Sequence, residues 1–482
     1  MIVSLLVLLP WGIALWLSLA QRSAAALSVA GALAEVLLCI PLLAGDPSGL
    51  AAVHIPLLGA LWQLQSSPLA DLFALTVALL LPVALAVQWH HGEYLHQARI
   101  LAVLQGALMG TFFANNFLGF YIFYEIVALA AAWLILRSGQ KDRRAALTFL
   151  LYTITASLFL LLAVLPIYLA RGNSTGIYDF SWMRLSGSGL SGQIQLLLFL
   201  GMLAGLGVKL PLFPLHGWAR GAYVQSAPAA ALLLSGATVL AGVYGLVHWA
   251  VPLLPQGALL FSPAGIILAS IGTLYGAFLA LSTSELRETV AYSSVSHMNL
   301  VALGIFALQE QAWSGALILS IAHAVLAGGL FTVIAILEAR GLSSNWDALG
   351  GLFRRMPRFG AWTLLFFLMA LGLPGLGNFP GEFLTLLGSF QVLPVWAGIA
   401  TLGMIVNLVV FLRAYERSML GQLNPRLPGH IADLSQRELW IFLLLGAASL
   451  YVGLGSQTLL ADFQQLLPVH SHLLLGGMHG GH

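Results

Sequence analysis

The chain has 482 residues, of which 60% are apolar and 7% charged, with a formal net charge of +2 and a mean hydropathy of +0.94. A soluble domain carries about 25% charged residues, so soluble multidomain enzymes, disordered chains and nucleic-acid binders are excluded. The single cysteine, Cys39, rules out a disulfide, a cysteine-ligated cluster or a cysteine-type zinc site within the chain.

At about 20 residues per crossing, the apolar content supplies roughly fourteen membrane helices. In chain order the apolar runs fall near 2–20, 24–44, 67–88, 98–115, 117–137, 145–170, 193–218, 227–251, 260–281, 288–306, 312–338, 360–388, 394–415 and 438–456. The first run lacks a small-residue cleavage site and is followed at once by a second, so it reads as a retained helix. Sixteen basic residues, from Arg22, Arg99, Arg137, Lys141 and Arg143 through Arg437, lie in loops after odd-numbered spans, against Arg171 and Arg184 on the other side. The positive-inside rule then puts both termini outside the cytoplasm.

Two runs are punctuated by proline. Span seven contains Gly207-Val208-Lys209-Leu210-Pro211-Leu212-Phe213-Pro214-Leu215-His216, and span twelve contains Leu373-Pro374-Gly375-Leu376-Gly377-Asn378-Phe379-Pro380-Gly381-Glu382. Proline removes an N–H and clashes with the preceding turn, so unwound backbone is expected in both. Such backbone survives at membrane depth only when buried in protein or lining a wet cavity. The broken spans are five apart, which suggests two five-helix units at 98–251 and 260–415, preceded by three helices in 1–97. The remainder, 416–482, holds a loop, a last helix and a histidine-containing tail. An odd number of spans per unit gives the units opposite orientations, the pattern of inverted-repeat transporters.

Each ionisable residue at mid-bilayer costs at least about 2.5–3.5 kcal/mol, so it needs a reason to be there. Glu125 lies in span five, Lys209 beside the first break and Glu382 just after the second. His216, His248, His297 and His323 fall in or at the ends of spans seven, eight, ten and eleven. Glu125 and Lys209 read either as a structural ion pair or as a switch that captures and releases a proton as the carboxylate moves. A single helical histidine is ordinarily a hydrogen-bonded core residue, but four in one domain fit a relay. No pair has metal-ligand spacing. Glu35 and Asp71 read as helix-contact or functional carboxylates, and Cys39 as a small buried apolar residue. The tail histidines His470, His472, His479 and His482 read as a solvated tail, and Gly372 to Gly381 follows no strand, so it is not a nucleotide loop.

The run Lys209 to Trp218, the run Ala291-Tyr292-Ser293-Ser294-Val295-Ser296-His297-Met298, Ile321-Ala322-His323, and Gly372 through Phe383 resemble, in that order, the motifs of antiporter-like proton-pumping membrane subunits of respiratory complex I. The last stretch and Leu387 to Val392 are most similar to the M type, as is the short C-terminal extension. The resemblance spans roughly residues 60–460. It implies fourteen helices, two inverted five-helix repeats, and proton translocation coupled to NADH:quinone chemistry in other subunits. It also implies roles in the proton path for Glu125, Lys209, His216, His248, His297, His323 and Glu382. No redox site, cofactor or metal is expected in this chain. Its expected partners are other membrane subunits, including antiporter-like ones, and the lipid of the cell's inner membrane.

The sequence also departs from the family. After Trp218 it reads Ala219-Arg220-Gly221-Ala222-Tyr223 in place of the usual Leu-Pro-Asp-Ala-His. The expected eighth-helix lysine is Leu240, an expected arginine is best matched by His248, and a Lys-Arg pair becomes Arg287-Glu288. These departures leave open a subunit of a related assembly (a membrane-bound hydrogenase, a multi-subunit cation/proton antiporter or an inorganic carbon importer) or a non-pumping structural spacer.

Overall fold

Without water in a bilayer core, backbone polar groups must be satisfied within the chain, and among the described residues each of the apolar runs carries helix. The computed structural model describes residues 2–19, 24–43, 51–53, 62–88, 94–138, 143–187 and 189–464. Arg22, Lys141 and the tail histidines lie outside the described residues.

The helices are α1 (Ile2–Leu19), α2 (Ala24–Leu43), α3 (Pro68–Gln88), α4 (Tyr94–Phe113), α5 (Phe117–Leu136), α6 (Arg144–Thr175), α7a (Gly192–Lys209), α7b (Ala219–Gln225), α8 (Pro228–Leu253), α9 (Pro255–Leu281), α10 (Leu286–Phe306), α11 (Glu310–Ala339), α12a (Pro357–Ala370), α12b (Asn378–Phe390), α13 (Pro394–Met419), α14 (Gln436–Leu454) and α15 (Ser456–Gln464). Eleven of them are long and apolar enough to cross a membrane. The chain is a multi-pass, mainly helical membrane protein. Among the described residues one short antiparallel strand pair departs from all-helical: Ala51–Val53 pairs with Trp62–Leu64, Ala51 opposite Leu64.

Local chemistry explains many of the boundaries. Pro228, Pro255, Pro357 and Pro394 open helices at the position where a missing N–H costs nothing. Ser435 and Glu438 form a reciprocal capping box at the start of α14. Gly176, in the left-handed region at φ 72°, ends α6.

Both expected breaks are present, at 210–218 between α7a and α7b and at 371–377 between α12a and α12b. A third irregularity was not foreseen: α8 makes a π-helical turn over Gly245–Ala250, which carries His248. Helix α8, apart from His248, and α11 over Ala312–Leu337 are buried and form the core, while Leu8, Leu151, Leu197 and Val395 on the outer helices are exposed. Such an apolar belt suits lipid, not water. The two central helices approach closely because Gly236 of α8 faces the backbone of Ala324 in α11. Within 98–251 and within 260–415 alike, the first helix packs on the second, the second on the third, and the third on the broken fourth.

Candidate functional site: two helix breaks with buried charges

The first break exposes backbone groups that a continuous helix would pair internally. The structure pairs several of them. The Leu210 N–H donates to the Leu206 carbonyl and Leu212 N–H to Gly207, while the indole of Trp218 donates to Val208 at 2.8 Å. The Phe213 N–H, stranded between Pro211 and Pro214, donates to Oδ1 of Asn299 on α10 at 2.9 Å. Asn299 in turn donates to the carbonyls of Pro211 and Val295 at 3.2 and 2.8 Å.

Lys209 ends α7a, fully enclosed. Its Nζ donates to the Tyr124 carbonyl at 2.9 Å and sits 3.6 Å from the Tyr124 ring centre, a cation–π contact. The Tyr124 hydroxyl donates back to the Gly205 carbonyl at 2.9 Å, so one tyrosine ties α5 to α7a through its backbone carbonyl, its ring and its hydroxyl. The expected ion pair is absent here: Lys209 and Glu125 do not approach within salt-bridge distance, although they still act on each other electrostatically. Glu125 faces Ser157 and keeps a buried Oε1 with no hydrogen-bond partner. The ammonium therefore rests one residue short of the carboxylate.

At the second break, three of the expected residues converge. His297 is completely buried, and its Nδ1 lies 2.8 Å from the Ser293 carbonyl, an acceptor only, so Nδ1 carries the hydrogen. Its Nε2 comes within 3.4 Å of Oε1 of Glu382, without hydrogen-bond geometry. The His323 ring centre lies 5.6 Å from that of His297, and neither of its nitrogens has a protein partner. Asn378 donates to Glu382 Oε1 at 3.3 Å, and Gly372, at φ 65°, abuts Oε2. The break is pinned from α14, whose Ser449 hydroxyl accepts the Gly377 N–H at 3.2 Å.

His216 and His248 stand apart from this cluster. His216 lies in the first break, stacked against Phe213 and edge-on to Tyr275. His248 stacks on Tyr244 at 4.8 Å and borders a cavity of about 310 Å³ that Trp182, Trp313 and Phe463 also line. Glu35 accepts from Gln105 at 3.0 Å, joining α2 to α4, and Asp71 accepts from Ser66 at the start of α3. Both carboxylates therefore have local partners. Among the described residues, no cluster of three or more histidine, cysteine or acidic side chains could hold a metal.

Comparison with known proteins gives this arrangement a context. The profile of the NADH:quinone oxidoreductase/Mrp antiporter transmembrane family matches residues 114–406. The chain belongs to this family. It is 33% identical to NADH-quinone oxidoreductase subunit M of Rhodobacter capsulatus, over 90% of this chain and 88% of the relative. It is also 33% identical to NADH-quinone oxidoreductase subunit 13 of Thermus thermophilus, over 92% and 94% of the two. A chain of the respiratory complex I structure from Thermus thermophilus with bound NADH superposes with a TM-score of 0.90 at 31% identity, covering 98% of this chain and all of the other. An Mrp complex chain from Dietzia shares the fold, with a TM-score of 0.83 at 17% identity.

Seen within the NADH:quinone oxidoreductase/Mrp antiporter family, two departures from the usual motifs turn out to be partners. Arg220, in the altered stretch after Trp218, is bonded to Glu288, and Arg287 pairs with Glu338 while donating to the Val224 and Ser226 carbonyls at 3.1 and 2.8 Å. Leu240, at the position where the motif resemblance implies a lysine, is completely buried in α8. Sequence reading missed Asn299, Asn378, and the pair formed by Ser235 and Ser294, whose hydroxyls join α8 to α10 at 2.9 Å. Small polar residues in helices give no periodic signal that would single them out.

Glycine sets the depth of Glu382. A Cβ on Gly381 would lie 2.6 Å from the backbone nitrogen of Leu319 in α11, and one on Gly315 would lie 2.4 Å from that of Thr385. Backbone cannot rotate aside as a side chain can. Gly381→Ala is therefore expected to push α12b off α11, costing about 1–3 kcal/mol as overpacking does. A lower melting temperature of the purified complex, together with lost pumping, would register it. An unchanged melting temperature and full pumping would mean that the contact is slack.

Proposed function

We propose that this chain is a proton-translocating membrane subunit of a complex I-type NADH:quinone oxidoreductase, driven by redox chemistry in other subunits. The observation that carries the reading is that a buried titratable side chain sits at each of two backbone breaks, Lys209 at one and Glu382 at the other. Charge and unwound backbone at membrane depth are both costly, and their coincidence marks ion pathways. The similarity to the Rhodobacter M subunit and to the complex I structure supports the assignment to this enzyme class. Two inverted five-helix units, α4–α8 and α9–α13 of fourteen crossings, account for the matching order of helix contacts.

The proposed path uses Glu125 and Lys209 in the first unit and His323, His297 and Glu382 in the second, with His216 and His248 flanking. With Nδ1 committed to the Ser293 carbonyl, a neutral His297 presents a lone pair at Nε2 to the Glu382 carboxyl. Two acceptors repel unless a proton lies on one of them. A proton delivered to the pair can sit on Nε2 or on the carboxylate, and moving it between them costs little rearrangement. Glu125 and Lys209 act as the switch: the ammonium exchanges its Tyr124 carbonyl for the neighbouring carboxylate and loses or gains a proton as it does so. Cofactors and electron transfer belong to the partner subunits.

Copurification tests the assembly. The chain should be recovered with NADH-oxidising and quinone-reactive subunits, and the complex should acidify the lumen of inverted vesicles on addition of NADH. Recovery with a hydrogenase or a cation-antiporter set would overturn the assignment. Topology is a separate expectation. An impermeant maleimide should label Asn173→Cys from outside intact cells and Gly429→Cys only in inverted vesicles, since the α13–α14 loop belongs to the basic side. Reversed labelling would place the termini in the cytoplasm.

A further inference from the structure

Asn299 makes more contact with the first break than any feature of its own helix requires. It sits on α10 two residues after His297, is completely buried, and uses both ends of its amide on a segment 86 to 88 positions away in sequence. Its oxygen takes the Phe213 N–H, and its nitrogen reaches the Pro211 carbonyl. Pro211 and Pro214 leave these groups outside any helical ladder, so each would be an unsatisfied polar group in an apolar interior, at a cost of about 1–3 kcal/mol.

The surroundings are shaped for this side chain. A Cβ on Gly272 of α9 would lie 2.2 Å from Asn299 Oδ1 and 2.4 Å from its Cγ, so only glycine at 272 admits the amide. On the other side lies an apolar cavity of about 220 Å³, lined by Leu203, Leu212, Phe213, Phe261, Leu268 and Asn299. The break therefore has room to shift, and the amide ties it to α10.

We infer that Asn299 is a positioning residue that clamps the α7 break to the helix bearing His297, so that displacement of the Lys209 segment and of the His297 helix occur together. The inference rests on the proposed reading of Lys209 and His297 as proton carriers. In this arrangement Asn299 transfers no proton. Its two hydrogen bonds transmit movement between the two units, which the apolar Leu240 side chain in α8 does not do by charge.

The test uses the intact complex carrying Asn299→Leu, which keeps the volume and removes both hydrogen bonds, and Gly272→Ala, which crowds the amide without altering it. Hydrogen exchange at residues 210–218 should speed up about tenfold in each, the factor expected for one lost hydrogen bond. The proton-to-electron ratio should fall by half or more while NADH oxidation by the detergent-solubilised complex persists. Asn299→Asp keeps the acceptor for the Phe213 N–H and should retain the exchange protection there. Unchanged exchange in Asn299→Leu would overturn the clamp. Faster exchange with a wild-type proton-to-electron ratio would overturn its role in coupling. Lys209→Ala, run alongside, separates the two levels: if it too pumps normally, the proposed proton path fails, whereas if it alone loses pumping, only the clamp does. Should Asn299→Leu fail to assemble, Gly272→Ala and Asn299→Asp carry the same readouts.

Discussion

Replacing Lys209 with alanine is expected to reduce NADH-driven proton transfer by at least about tenfold, equivalent to some 1.4 kcal/mol on the limiting barrier. The complex should still assemble, because α7a keeps its other ties to α5 and α8, including the Tyr124 hydroxyl on Gly205. The loss arises from chemistry and not from packing. Lys209 is the buried cation at the first break, and the Tyr124 carbonyl and ring hold it only by a hydrogen bond and a cation–π contact, which proton exchange can replace. Lys209→Met, which fills the same space without charge, should therefore be as defective as the alanine variant. Glu125→Ala should match it, Glu125→Gln should be nearly as severe, and Glu125→Asp should retain part of the activity because the charge survives at a slightly longer reach. Proton-to-electron ratios in sealed vesicles, with assembly followed on native gels, provide the measurement. Wild-type ratios in both alanine variants would reduce the two residues to structural roles.

The breaks were legible because proline announces them: no helix can carry Pro211 and Pro214, or Gly372-Leu373-Pro374-Gly375, without loss of its ladder. The prolines that open α8, α9, α12a and α13 and the Ser435–Glu438 box were equally open to reading. Helix rotation was not. Spacing placed Glu125 and Lys209 in neighbouring regions of one unit, but only packing decides that the ammonium meets the Tyr124 carbonyl before the carboxylate. The same holds for the histidines. Four looked equivalent along the chain, yet His297 lies between Glu382 and His323, whereas His216 lies in the break and His248 on a π-helical turn beside a separate cavity. Asn299, whose break partners are more than 80 residues away, leaves no local trace at all.

The second large effect is expected at His297, where the absence of the eighth-helix lysine makes the histidine cluster carry more of the path. Leu240 is fully buried, so the stretch of α8 where a lysine was expected is apolar, and the Ser235–Ser294 pair gives α8 and α10 a polar link. On the proposed path a proton leaving Lys209 is received on α10, where His297 offers one nitrogen fixed by the Ser293 carbonyl and one 3.4 Å from Glu382. His297→Ala removes both the acceptor and the donor, and should lower pumping by about tenfold or more. His248→Ala should have a weaker effect, since that ring stacks on Tyr244 away from the cluster. Glu382→Gln keeps the shape and the Asn378 contact but cannot share a proton with Nε2, so it should resemble His297→Ala. Leu240→Lys supplies the lysine expected at this position and should assemble and recover part of the His297→Ala loss. Normal pumping by His297→Ala would break the proposed path at its centre, and a chain that assembled fully yet moved no protons in any variant would act as a spacer between its neighbours.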